Sequence, residues 1–253
     1  MKRARDDSLA HAVATRVRKA GGDRLWTYAD FPGVSRTALA AALSRLAKAG
    51  ELTRVRRGVY YRPGKTLFGM STPDPEALAD AVLRARGEAP LPAGVGAFNR
   101  LGLTTQVPGA VTRATRRSAA PADLGSVRLY TTPRPLDAQK GIRPEERAAL
   151  EALRKITRIP DTRPRYVLER IGMLVRQGEL DFVRLARFAR AEPPRVRALL
   201  GALGEELRHG NVDMRVPTEV LEELRESLNP LTSFTVRGAR EALPHAAAAW
   251  RIR

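Results

Sequence analysis

The sequence predicts an α+β fold that is mostly helical, and three observations lead there. Apolar residues recur at helical spacing over most of the 253 residues. Two short alternating segments flank a glycine turn near residue 58. Further β-like segments, AVTRATR and SVRLYTT, interrupt the helical pattern only before about residue 160. A hydrophobic content of 43% suffices to fill the cores of one large domain or two ordinary ones.

From Ser8, the stripe Leu9, Val13 and Val17 runs to a stop at Gly21-Gly22 and defines a first helix. In DRLWTYADF, the TYADF segment has room for one or two helical turns, with Trp26 as a core anchor. PGVS is a turn whose Ser35 can N-cap the next helix. There Leu39, Leu43 and Leu46 share one narrow stripe, and Thr37, Ala41, Ser44, Arg45 and Lys48 fall opposite. Gly50 ends the helix, and ELTRV and GVYYR alternate around Arg56-Arg57-Gly58 as a hairpin with Gly58 in its turn. Helix, short helix, tight turn, helix, hairpin is the order of a winged helix-turn-helix, here spanning residues 1–65.

In such a module the last helix enters the major groove of DNA. Small outward residues (Ala40, Ala41, Ser44) permit close approach. Ser35, Arg36, Thr37, Ser44, Arg45 and Lys48 are then the candidates to reach base edges or phosphates. Arg54, Arg56 and Arg57 of the hairpin would lie along the adjacent backbone or minor groove. A winged helix used for protein contacts is the competing reading of the same pattern.

RPGKTLFGMSTPDP is rich in turn formers, and residues 66–75 read as a linker. Residues 76–160 follow as an α+β domain: helices PEALADAVLRARG and AGVGAFNRLG, the two strand-like segments, and the Pro-led helix PEERAALEALRKI. Residues 161–253 read as helical, through PRYVLERIGMLVRQG, LDFVRLARFARA, PPRVRALLGALGEELRHG and PTEVLEELRESL, with a tail of ambiguous pattern. The expected architecture is thus an N-terminal winged helix-turn-helix followed by a larger domain passing from α+β to all-α.

A formal charge of +18 points to a polyanionic partner, nucleic acid first and anionic membrane second. Residues 1–65 hold 15 Lys and Arg against 5 Asp and Glu, so the basic footprint is concentrated at the N-terminal end. The absence of cysteine excludes disulfides and thiolate metal sites, and His11, His209 and His245 are too scattered to suggest a metal cluster. The first 22 residues lack the apolar segment of a signal peptide, and no apolar run has membrane-spanning length, so the expectation is a cytoplasmic protein without membrane association, cofactor or metal.

Catalytic motifs fail on spacing. Gly58 and Gly64 enclose five residues where a phosphate loop needs four, and the third glycine of a dinucleotide fingerprint starting at Gly94 would fall at Asn99. The pairs Glu145-Glu146, Glu205-Glu206 and Glu222-Glu223 fit a helix first turn and exposed helix faces. No Asp/Glu-x-Lys of a restriction-type nuclease occurs: the residues two before Lys140 and Lys155 are Ala138 and Leu153. The series Arg165, Arg170, Arg176, Arg184, Arg187, Arg190, Arg195 and Arg197 is either a solvated helix face or a second polyanion surface.

In several blocks the chain resembles the bacterial AbiEi-like proteins, antitoxins of type IV toxin-antitoxin systems. The blocks are ALSRLAKAGELTRVRRGVYYRPG, DPEALADAVLRARG, PAGVGAFNRLGLTTQVPGAV and RLYTTPRPLDAQKG, of which NRLGLTTQVP is the most telling. The resemblance covers residues 8 to about 160. It implies a non-enzymatic repressor of its own operon that binds double-stranded operator DNA and whose C-terminal part counteracts a nucleotidyltransferase-like toxin, without a stable complex being required. The alternative is a winged-helix protein whose C-terminal domain is an enzyme acting on nucleic acid.

Overall fold

The computed structural model describes residues 2–125, 127–210 and 216–253. Their fold is α+β and mostly helical, and it divides into two compact units. The first comprises residues 1–90, 109–111 and 120–130; the second comprises 91–108, 112–119 and 131–253.

The first unit opens with α1 (Lys2–Lys19), β1 (Arg24–Thr27), a 3-10 turn (Tyr28–Asp30), α2 (Arg36–Lys48), β2 (Thr53–Arg56) and β3 (Val59–Arg62). The strands form an antiparallel sheet of order β1-β3-β2, with Trp26 opposite Tyr60, Thr53 opposite Tyr61, and an irregularity between Arg54 and Arg56. Val13, Val17, Trp26, Phe31, Leu39, Leu43 and Leu46 are buried together, as the stripes on α1 and α2 predict. Gly50 ends α2 at a φ of +77°, where a residue with a Cβ would be strained. Ser35 precedes α2 without capping it, because its hydroxyl makes no bond to the first turn. Arg24–Thr27 is a strand where the sequence suggested only a lead-in to a helical turn; pairing with β3 decides its conformation.

Two features of this unit lie outside the sequence expectation. Lys65–Thr66 (β4) and Gly69–Met70 (β5) form a second small hairpin within the segment that reads as a linker. Its base is clamped: the Tyr61 hydroxyl donates to Asp23, lies 2.7 Å from the Ser71 hydroxyl, and Ser71 Oγ accepts from the Gly64 N–H at 2.7 Å. Gly22 lies so close that a Cβ there would come within 2.7 Å of Gly64 Cα. Its tip bears Leu67 and Phe68, both essentially fully exposed. The second feature is a further core: Val59 packs with Leu78, Val82 and Leu83 of α3 (Pro75–Ala85) and with Val111, Leu124 and Leu129. Within the unit, β8 (Ala122–Asp123) pairs with the start of β9 (Arg128–Pro133). α3 is thus packed with residues 59–62 as one body, although the sequence assigns it to the 76–160 segment.

The second unit contains β6 (Leu91–Pro92), α4 (Gly94–Arg100), the larger part of β7 (Ala110–Thr115) and α5 (Pro144–Arg154). They are followed by α6 (Pro164–Arg176), α7 (Phe182–Ala189), α8 (Pro194–Gly210) and α9 (Thr218–Glu226). β6 pairs antiparallel with β7. The Pro-led starts of α5, α6 and α8 fit the fixed φ of proline at a helix's opening. α8 carries Gly201 and Gly204 where other side chains press on its backbone: a Cβ would come within 2.1 Å of the Trp250 ring and 2.3 Å of Phe182 respectively. The ambiguous tail returns on itself, with the Phe234 N–H donating to Arg251 O at 2.9 Å and the Val236 N–H to Arg253 O at 2.7 Å. Phe234, Val236, Trp250 and Ile252 are all buried in the unit's core.

Candidate nucleic-acid interface

The candidate interface lies on two elements of the first unit. On α2, burial of Leu39, Leu43 and Leu46 turns Arg36, Thr37, Ala41, Arg45 and Lys48 outward, with Ser44 half-buried beside them. On the hairpin, a two-residue turn, Arg57-Gly58, joins β2 to β3. Gly58 has a φ of +77° and is buried against Tyr28, whose ring would lie 3.2 Å from an added Cβ. The Arg36 guanidinium sits 5.3 Å from the centroid of that same ring. Tyr28 therefore ties the start of α2 to the hairpin turn.

The result is a groove of about 780 Å³. Arg36, Thr37 and Ala40 line one side, Arg56, Arg57 and Gly58 another, and Val82, Ala85 and Arg86 from the end of α3 a third. Of the sequence candidates, Arg36, Thr37, Arg56 and Arg57 come together around this groove, whereas Ser35, Ser44, Arg45, Lys48 and Arg54 lie outside its lining. Ser44, Arg45 and Lys48 continue along the outward side of α2, and Arg54 is exposed on β2. Sequence reasoning missed Tyr28 and Arg86, because neither belongs to the helix or the hairpin that signalled the site. Gly58 signalled a turn with positive φ, but the ring of Tyr28 against it is visible only in the fold.

The second unit answers the question posed by its arginines differently. Arg165 pairs with Glu169 at 2.7 Å, Arg170 donates to Leu101 O at 2.7 Å, Arg184 to Glu146 at 2.6 Å, and Arg195 to Arg154 O at 2.8 Å. Arg190 pairs with Glu223, and Arg187 lies 4.6 Å from the Phe188 ring centroid. Arg170, Arg184, Arg190 and Arg195 thus join different elements of the unit, whereas Arg165 and Arg187 are exposed and contact their own helix, as on a solvated face. The acidic pairs are likewise engaged. Glu145 meets Arg100 at 2.9 Å, Glu205 accepts from Trp250 Nε1 at 2.6 Å, and His245 Nδ1 lies 2.7 Å from Glu206.

Three carboxylates are buried outright. Glu192 meets Arg147 at 2.6 Å and Arg154 at 2.5 Å, and accepts from Gln139 at 2.8 Å. Glu151 accepts both arms of Arg134, at 2.6 and 2.7 Å. Glu146 is held by Arg143 and Arg184. Burial pushes the Glu192 and Glu146 carboxyls up, but Arg147 and Arg154 at the first and Arg184 and Arg143 at the second outweigh it, so both lie below the ordinary carboxylate range. Burial disfavours the charge on Arg147, while the geometry around it, with Glu192 and Gln139 Oε1 both within 2.7 Å, favours the ionised pair. A depressed folded pKa contributes stability that is present above the unfolded value of about 4.3 and lost as pH falls through the folded value. Urea midpoints should therefore fall steeply from pH 4.5 to pH 3, and less steeply in Glu192→Gln. Equal slopes in the two proteins would remove Glu192 as a source of the acid sensitivity.

Among the described residues no group of three or more His, Asp or Glu is arranged to hold a metal ion, and no helix is long and apolar enough to cross a membrane. A family model described as a family of unknown function (DUF6088) matches residues 13–177. No curated protein matches the chain. Among solved structures, the crystal structure of RV2827C protein from Mycobacterium tuberculosis is similar at a TM-score of 0.48 and 16% identity, over 88% of this chain and 83% of that one.

Proposed function

The chain belongs to DUF6088, a family of unknown function, and we propose that this member is a DNA-binding repressor of the winged helix-turn-helix type. The observation that carries the reading is the juxtaposition around one groove of Arg36 and Thr37 from α2 with Arg56 and Arg57 from the hairpin turn. The order α1, β1, 3-10 turn, α2, β2, β3 with sheet order β1-β3-β2 supports it, as does the net +10 of residues 1–65. α2 presents small and cationic residues to the major groove, and the hairpin arginines take the adjacent backbone. The resemblance to AbiEi-like antitoxins extends the proposal: the protein represses its own operon, and its second unit counteracts a nucleotidyltransferase-like toxin encoded beside it.

The contacts divide into two kinds with separable signatures. Arg36→Ala or Arg45→Ala should cost about 1–3 kcal/mol on the operator and little on random duplex, as loss of base reading does. Arg54→Ala, Arg56→Ala and Arg57→Ala should weaken both duplexes alike, each lowering the salt slope by about 1. Anisotropy titrations of the full chain on a duplex from its own upstream region, at several salt concentrations, make the comparison. An unchanged affinity and slope in Arg56→Ala and Arg57→Ala would overturn the assignment of the hairpin.

A further inference from the structure

Resting on that reading, we propose that the end of α3 is a third contact of the same interface, with Arg86 holding a phosphate of the duplex strand that Arg56 and Arg57 engage. Arg86 lies outside the helix–hairpin pattern, yet it lines the groove together with Arg36, Arg56 and Arg57. The lining contains four arginines and no carboxylate. Like charges gathered around one recess repel one another unless an anion lies among them, and a phosphodiester strand supplies charge at regular spacing. Val59 and Val82 are buried and give the groove an apolar floor, so the cations sit around it rather than in it.

The position of Arg86 is built rather than incidental. Val82 and Leu83, one turn before it, pack with Val59, which directly follows the hairpin turn. This core fixes the last turn of α3 to the hairpin as one body. A bare helix C-terminus would repel a phosphate through its carbonyls. Here the Gly87 N–H donates to Arg84 O at 3.0 Å and the Glu88 N–H to Leu83 O at 3.0 Å, with Gly87 at a φ of +77°, so two of those carbonyls are satisfied. The chain is thereby capped and turned away, and the side chain of Arg86 is left exposed at the groove.

The test uses the full chain and two labelled duplexes, one from its own upstream region and one of random sequence. Arg86→Ala should weaken both by a similar factor and reduce the slope of log affinity against log salt by about 0.9, the value of one phosphate contact. Arg86→Lys should keep the slope. If Arg56→Ala lowers the slope and Arg86→Ala does not, Arg86 is not a contact, although the hairpin reading stands. If the unsubstituted chain binds neither duplex in a salt-dependent way, both readings fall together. Tighter binding to the single strand than to the duplex, with Arg86 still contributing, would overturn the assignment to duplex DNA.

Discussion

Replacing Glu192 by alanine is expected to destabilise the second unit by about 3–5 kcal/mol, the usual cost of removing one partner from a buried ion pair. Glu192 is completely buried, as is Arg147. Its loss leaves Arg147 with Gln139 Oε1 at 2.7 Å and with Glu151, 3.7 Å away and already committed to Arg134. Arg154 loses a charged partner at the same time. In a unit of this size about 1 kcal/mol moves the melting midpoint by roughly 2–4 °C, so scanning calorimetry should show a fall of roughly 6–20 °C. Glu223→Ala is the control: its pair with Arg190 is exposed on both sides and should be worth less than about 1 kcal/mol. Equal effects of the two substitutions would show that burial does not set the worth of the pair. The double replacement Arg147→Met with Glu192→Leu should be milder than Glu192→Ala, since the fully buried Arg147 charge is removed with its partner and only the partly exposed Arg154 is left without its carboxylate.

The second large effect concerns function. A full-length chain with Arg36, Arg45, Arg56 and Arg57 all changed to alanine should lose at least about a hundredfold in affinity for its own upstream region, because each base-reading arginine is worth about 1–3 kcal/mol and each backbone contact adds a salt-dependent term. All four side chains are at least partly exposed, so the buried core is untouched, and the melting midpoint of the variant checks that loss of the Arg36–Tyr28 contact leaves the fold intact. Under the antitoxin reading, this variant no longer represses its promoter but still rescues growth when the neighbouring toxin is expressed. Substitution is preferable to deleting residues 1–68, because Val59 belongs to the core that also holds α3, Val111 and Leu129. Deletion would unmake more than the proposed DNA contact. Loss of rescue in the quadruple variant, with its melting midpoint unchanged, would refute the separation of the two activities.

The fold was most legible where local chemistry and tertiary packing agree. The stripe Leu39, Leu43 and Leu46 with Gly50 as a stop delimits α2, and alternation around Gly58 delimits the hairpin. β1 was not legible, since four residues become a strand only through pairing with β3. The groove was half legible. Its arginines on α2 and the hairpin could be read from position, but Tyr28 and Arg86 reach it through contacts distant in sequence. The charges of the second unit were the least legible. A helical pattern distinguishes apolar from polar faces, and it cannot reveal that Glu146, Arg147 and Glu151 on α5 neutralise or are neutralised by partners and lie fully buried.

The returning tail sets an order of events in synthesis. Trp250 lies against the backbone of α8 at Gly201, and residues 234–236 bond to residues 251–253. Helices α4 to α9 leave the ribosome before the chain that seals them, so the second unit cannot close its core until residue 252 has emerged. Until then the surface around Gly201 is apolar and open. Domains usually fold as units during synthesis. This one can complete its core only once the returning tail is in place.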